Sequence, residues 1–270
     1  MQVVNYPLAY FAERIGGEAI DLRFLPGDEP GDPAFWKPSA EDITDLQQAD
    51  LLLLNGANYA KWLTYASLPA SPQVDTSLAY AARLIPLKES FTHSHGKEGE
   101  HSHTGTAFTT WLDFDQARDQ AVAVQEALIR LLPQQKRAFT QRAGQLLTDL
   151  GALDADMIGL RLGSTPLFGS HPVYQYLARR YALEILSFHF EPDTPLDPLE
   201  WASLEAAQAD FPAAWMLWED LPTEETVTEL AKRGITSLVV RPCGNRPVSP
   251  EEDWLSVMQA NVRQLQSIRP

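Results

Sequence analysis

A chain of 270 residues is long enough for one large domain or two of roughly 110–150 residues each. With 44% hydrophobic residues it can bury a substantial core, which excludes global disorder. Its net charge of −15 argues against nucleic acid and anionic membrane as partners, because both need clustered Lys and Arg.

The front of the chain has a β-α-β-α rhythm. Residues 2–5 predict a first strand, and a helix opens at Pro7, whose missing N–H needs no partner in a first turn. IDLRFL at 20–25 reads as a second strand, followed by the Pro- and Gly-rich loop PGDEPGDPAFWKP. Ser39 begins an S-A-E-D capping pattern for a helix over 40–49. DLLLLN at 50–55 is almost continuously apolar, as expected of a strand buried on both faces of a parallel sheet. An N-terminal α/β lobe is therefore expected over 1–114, with a histidine-rich loop at 92–105.

The middle, 115–161, is helical. Residues 115–132 and 134–161 carry apolar side chains at three- and four-residue spacing, and Pro133 divides them. The second run would span ~40 Å as one helix, far beyond the average of about 11–12 residues. It predicts a rigid helix tying two bodies together; a core helix of one larger domain is the other reading. The rhythm then resumes over 162–270. Strands near 166–169, 183–188, 213–218 and 235–240 alternate with helices at 172–181, 198–208, 224–233 and 250–266. The expected fold class is α/β: two lobes with parallel-type sheets, bridged by one long helix. A ligand cleft is then expected between the lobes, at the carboxyl ends of their strands.

FTHSHGKEGEHSHTG, at 91–105, holds four of the chain's six histidines: His93, His95, His101 and His103. Neutral imidazole is a ligand for zinc and other borderline metals. The segment is too rich in Gly, Ser and charge to build a core, and without apolar anchors it is expected to be mobile in the absence of metal. The plain alternative is a solvated loop with incidental metal affinity. His171, in GSHP, sits where a strand gives way to a helix. It is either a metal ligand or a histidine whose ring simply hydrogen-bonds nearby. His189 and Glu191 form H-F-E, similar to the H-x-E of zinc deaminases. The lone Cys243 cannot supply the P-C-x-x-C that chemistry requires, and it excludes an internal disulfide. Glu191 and Glu219 are carboxylates for a metal or for Arg241. A zinc-dependent hydrolase is disfavoured, since there is no H-E-x-x-H, G-x-S-x-G or P-loop pattern. No run approaches the ~20 apolar residues of a membrane span. The chain opens MQVVNYPLAYF, without a basic region leading into an apolar one, so an export signal is expected to be absent from this stretch.

NYPLAYFAERIGG, DPAFWKPSAEDITDLQQADLLLLNGANYAKWL, the histidine-rich loop, TTWLD and SHPVYQYLARRYAL together resemble one family, over Asn5 to about Leu265. It is the zinc- and manganese-type metal-binding receptors of ABC importers, periplasmic or extracytoplasmic solute-binding proteins built on a single rigid helix. The resemblance implies four metal ligands, one from each of four segments. Here those positions read Ala34, Thr109, His171 and Arg241, so one usual ligand of four is kept. Loops such as 92–105 are read in the family as collectors that pass metal to a fixed site.

The implied function is a monomeric, non-enzymatic receptor that captures a transition metal, zinc first and manganese or another divalent metal as alternatives, for a membrane permease. The expected site is His171 with Glu191 and loop histidines, His103 and His101 ahead of His95 and His93. Arg241 is expected to point away and pair with Glu219. Zinc release is expected as pH falls through roughly 6, because ligating imidazoles must be neutral. The alternative is a degenerate member whose cleft takes an anion, held by Arg241, or a chelated metal.

Overall fold

The computed structural model describes residues 1–28, 31–87, 91–95, 99–103 and 105–268, with 91–95 and 99–103 as backbone alone. Strand β1 (Gln2–Val3) leads into helix α1 (Tyr6–Gly16), capped by Asn5, whose side chain accepts the Leu8 amide at 3.2 Å. Helix α2 (Ala40–Gln47) starts with the reciprocal Ser39–Asp42 capping box that its sequence announces. It returns the chain to β2 (Leu52–Leu54), which pairs in parallel with β1 on one side and β3 (Gln73–Asp75) on the other. The strand expected over 20–25 is reduced to a single parallel bridge between Gln2 and Arg23. Pro26 cannot donate to a ladder, and the tight turn Leu25–Asp28 follows at once.

Residues 91–95 and 99–103 depart from the loop expected of them. Strands β4 (Phe91–His95) and β5 (Gly99–His103) pair in antiparallel register, His93 opposite His101. The expectation of mobility falls partly on 96–98 and 104, which lie outside the described residues.

Helices α3 (Phe114–Leu131) and α4 (Lys136–Leu160) follow. At 25 residues, α4 is about 37 Å long at 1.5 Å per residue. It buries Phe139, Ala143, Leu146, Leu150, Leu153 and Met157, a three- and four-residue stripe, against α1 and α3. The C-terminal lobe alternates strand and helix: β6 (Pro166–Gly169), α5 (Gln175–Tyr181), β7 (Glu184–Ser187), α6 (Pro198–Asp210), β8 (Trp215–Trp218), α7 (Glu224–Lys232), β9 (Thr236–Val239) and α8 (Trp254–Leu265). Its sheet is entirely parallel, in the order β7-β6-β8-β9. Helix α8 packs on α4 and sends the buried Trp254 among Tyr10, Phe11 and Phe114. The long helix thus ties the two lobes through a shared apolar interior. Among the described residues, no helix is long and apolar enough to cross a membrane.

A buried amide network fixes the carboxyl end of the first sheet. Asn55 Oδ1 accepts from Asn5 Nδ2 and Gln120 Nε2, both at 3.1 Å, and Asn55 Nδ2 donates to Phe108 O at 3.0 Å. The segment carrying Thr109 is therefore pinned to β2 and α3 rather than left as a free loop.

Candidate metal centre

The carboxyl ends of the two sheets meet along one seam. Trp111 Nε1 donates to Pro242 O at 2.8 Å, Thr109 Oγ1 to Val173 O at 2.6 Å, and the Tyr6 amide to Gly244 O at 2.8 Å. In open α/β sheets ligands bind outside strand carboxyl ends, so this shared cleft is where a site belongs.

His171, two residues before the Val173 that accepts from Thr109, is 2% exposed and lies just beyond β6. Strand order explains its surroundings. Because β6 runs between β7 and β8, residues following those neighbours flank the ring from both sides. Glu219, directly after β8, places Oε1 2.9 Å from Nδ1. Glu191, beyond β7, places Oε1 3.5 Å from Nε2. His189 presents its ring edge-on, centroids 5.8 Å apart. The backbone holds these positions: the Phe188 amide donates to Gly169 O at 2.8 Å and the Phe190 amide to Ser170 O at 2.9 Å.

Burial pulls the His171 pKa down, but the hydrogen bonds its ring donates to Glu191 and Glu219, with their charges, more than offset it and hold it up at about 9. The metal-free ring is a cation at neutral pH, so a metal must displace its proton. Proton competition starts near pH 9 rather than the 6 expected of an ordinary imidazole. Among the described residues, no three His, Cys, Asp or Glu side chains already surround a common point as metal ligands do. Glu219 and Glu191 instead occupy opposite nitrogens of one ring. A metal on Nε2 can therefore take Glu191, while Glu219 orients the imidazole from behind.

The family model described as "Zinc-uptake complex component A periplasmic" matches residues 3–268. The chain belongs to this family. Zinc-binding lipoprotein AdcA of Streptococcus pneumoniae is 23% identical over 271 residues, covering 96% of this chain and 54% of the relative. Zinc-binding protein TroA of Treponema pallidum is 28% identical over 174 residues, covering 62% of this chain and 52% of the relative. The chain thus spans about half the length of these curated relatives. Among solved structures, Zn(II)-bound AdcA from Streptococcus pneumoniae superposes with a TM-score of 0.81 at 20% identity, over 98% of this chain and 56% of that one. The metal-dependent lipoprotein YcdH from Bacillus subtilis gives 0.80 at 19% identity, over 98% and 97%. Both share the two-lobe, long-helix fold.

Within this zinc-uptake fold, Ala34 and Thr109, two of the positions the resemblance marks as ligand positions, are buried and carry no strong donor for zinc. Thr109 spends its hydroxyl on Val173 O. The expected pairing of Arg241 with Glu219 is not what forms. Arg241 Nη1 and Nη2 grip Glu252 Oε2 and Oε1 at 2.9 and 2.6 Å, and Glu219 turns to His171 instead. Helix α8 explains the exchange: Asn261 brackets the Arg241 backbone, and the segment before the helix brings Glu252 alongside.

Of the predicted site residues, His171 and Glu191 are brought together. His93, His95, His101 and His103 stand on the β4–β5 ribbon, and their side chains lie outside the described residues. Since opposed residues of an antiparallel pair share a face, the register gives all four histidine positions one face of the ribbon. What the sequence does not show is that Glu219 and His189 both stand against the His171 ring. The available signal was position: each stands at or just past the carboxyl end of a strand next to β6.

Proposed function

We propose that this chain is an extracytoplasmic receptor that captures a transition metal, zinc first, and hands it to the membrane permease of an ABC-type importer. The observation that carries the reading is the buried His171, its Nε2 facing Glu191 at the edge of the interlobe cleft. Membership of a periplasmic zinc-uptake family supports it, as do relatives named for zinc binding. His171 anchors the ion and Glu191 is its carboxylate. His103, His101, His95 and His93 gather metal on the ribbon and supply an imidazole at the cleft. Manganese or another divalent ion can compete for the same donors. The receptor works as a monomer in the periplasm or its equivalent and carries out no chemistry on its cargo. Binding an anion in the cleft would require Arg241, whose guanidinium is taken by Glu252.

The test is titration of chelator-stripped protein with zinc and manganese salts by calorimetry. One tight zinc per chain, with weaker manganese, is the expected result. Absence of any tight metal would overturn the reading.

A further inference from the structure

His189 has no place in the capture site as drawn above. We propose that it is a third ligand of the metal centre, alongside His171 and Glu191 of the same lobe, with Glu219 as a positioning residue that never touches the ion. The proposal rests on the capture reading and assigns its ligand set.

The distances carry it. Two donors on a tetrahedral zinc with bonds of 2.0–2.1 Å stand about 3.3 Å apart. His171 Nε2 and Glu191 Oε1 are 3.5 Å apart, at the outer limit of a hydrogen bond but close to that tetrahedral edge. Two imidazoles on one such ion place their ring centroids about 5 Å apart. The rings of His171 and His189 are 5.8 Å apart at 84°, slightly wider than that spacing, so the proposed centre requires the His189 side chain to rotate toward Nε2 of His171 when metal binds. The backbone spacing is already fixed, because the amides on either side of His189 are laddered onto Gly169 and Ser170.

Charge favours the same arrangement. Two carboxylates face one buried imidazole from opposite sides. Replacing the ring's proton by a divalent ion keeps both carboxylates compensated, and Glu219 remains hydrogen-bonded to Nδ1, the usual back-support of a ligating histidine. Three protein donors leave a fourth position for water or for an imidazole of the β4–β5 ribbon. That arrangement explains how Ala34, Thr109 and Arg241 can stand at the usual ligand positions: the centre needs no donor from them.

The test uses the full chain, stripped of metal, as wild type, His189→Gln, His189→Asn and a ribbon variant with His93, His95, His101 and His103 all changed to Ser. Zinc chloride is titrated by calorimetry, and zinc X-ray absorption counts the imidazoles. Matching melting curves of the metal-free proteins separate ligand loss from misfolding, and two substitutions at 189 guard against one that fails to fold. The expected result is at least two imidazoles in the wild type and one fewer in either 189 variant. Their affinity should fall about a hundredfold or more, beyond the usual 10–100-fold cost of an orienting residue. The ribbon variant should keep one zinc per chain. If wild type binds zinc tightly and both 189 variants match it in affinity and imidazole count, the ligand assignment is overturned while the capture reading stands. If wild type binds no zinc tightly, both are overturned.

Discussion

Glu219 Oε1 stands 2.9 Å from Nδ1 of His171. That contact decides which nitrogen faces the cleft, since Nδ1 is engaged and Nε2 is left toward Glu191. A carboxylate behind a ligating imidazole fixes its tautomer and raises its basicity.

Glu219→Ala is therefore expected to weaken zinc binding by about 10–100-fold without changing stoichiometry. Glu219→Gln should cost less, because the amide oxygen still accepts from Nδ1–H. Zinc titration of both variants checks this; equal affinity in all three proteins would remove Glu219 from the centre.

Zinc affinity should depend on pH in a way set by His171. Its folded pKa, held up at about 9, means that zinc displaces a proton at every lower pH. Affinity should rise about tenfold per pH unit up to about 9 and then level off. The same shift stabilises the metal-free fold. That contribution is fully present below the ordinary value of 6.5 and is lost as pH rises through about 9. It amounts to roughly 3 kcal/mol at about 1.4 kcal/mol per pH unit. Chemical denaturation of metal-free protein at pH 6 and pH 9.5, beside His171→Gln, measures it; an identical pH slope in the variant would contradict the assignment.

Arg241→Ala should leave zinc affinity within about twofold of wild type, because the guanidinium is held by both oxygens of Glu252. Its stability cost should be about 1 kcal/mol, as suits a half-exposed pair. A large change in zinc affinity would bring Arg241 into the site.

Asn55→Ala removes the acceptor shared by Asn5 and Gln120 and releases Phe108 O. Leaving buried donors unsatisfied should cost about 2–4 kcal/mol. Thermal or urea unfolding checks the value, and a loss under about 1 kcal/mol would mean that the network relaxes around the gap.

The parts of this fold legible in the sequence are those where local pattern and tertiary role agree. The stripe from Phe139 to Met157 repeats at helical spacing, so α4 is readable almost to its ends. The apolar run around Leu52–Leu54 reads as a two-face-buried strand for the same reason. The segment at 20–25 misleads because its β-rich composition says nothing of the turn that cuts its ladder short. In the ribbon, THSH and EHSH alternate with period two, a strand signal hidden by polar composition. The pairing of His171 with Glu219 depends on which strands lie side by side, and an order of β7-β6-β8 is not written in any local stretch. Arg241 illustrates the same limit: charge alone allows either Glu219 or Glu252, and only the approach to α8 selects the second.

The central claim is that His171 anchors the captured ion through Nε2. A zinc-soaked crystal, with anomalous scattering recorded at the zinc edge, tests it most directly. The account predicts an anomalous peak about 2.0–2.1 Å from His171 Nε2, with Glu191 in the same coordination sphere. A zinc peak confined to the β4–β5 ribbon, or none beside His171, would contradict it.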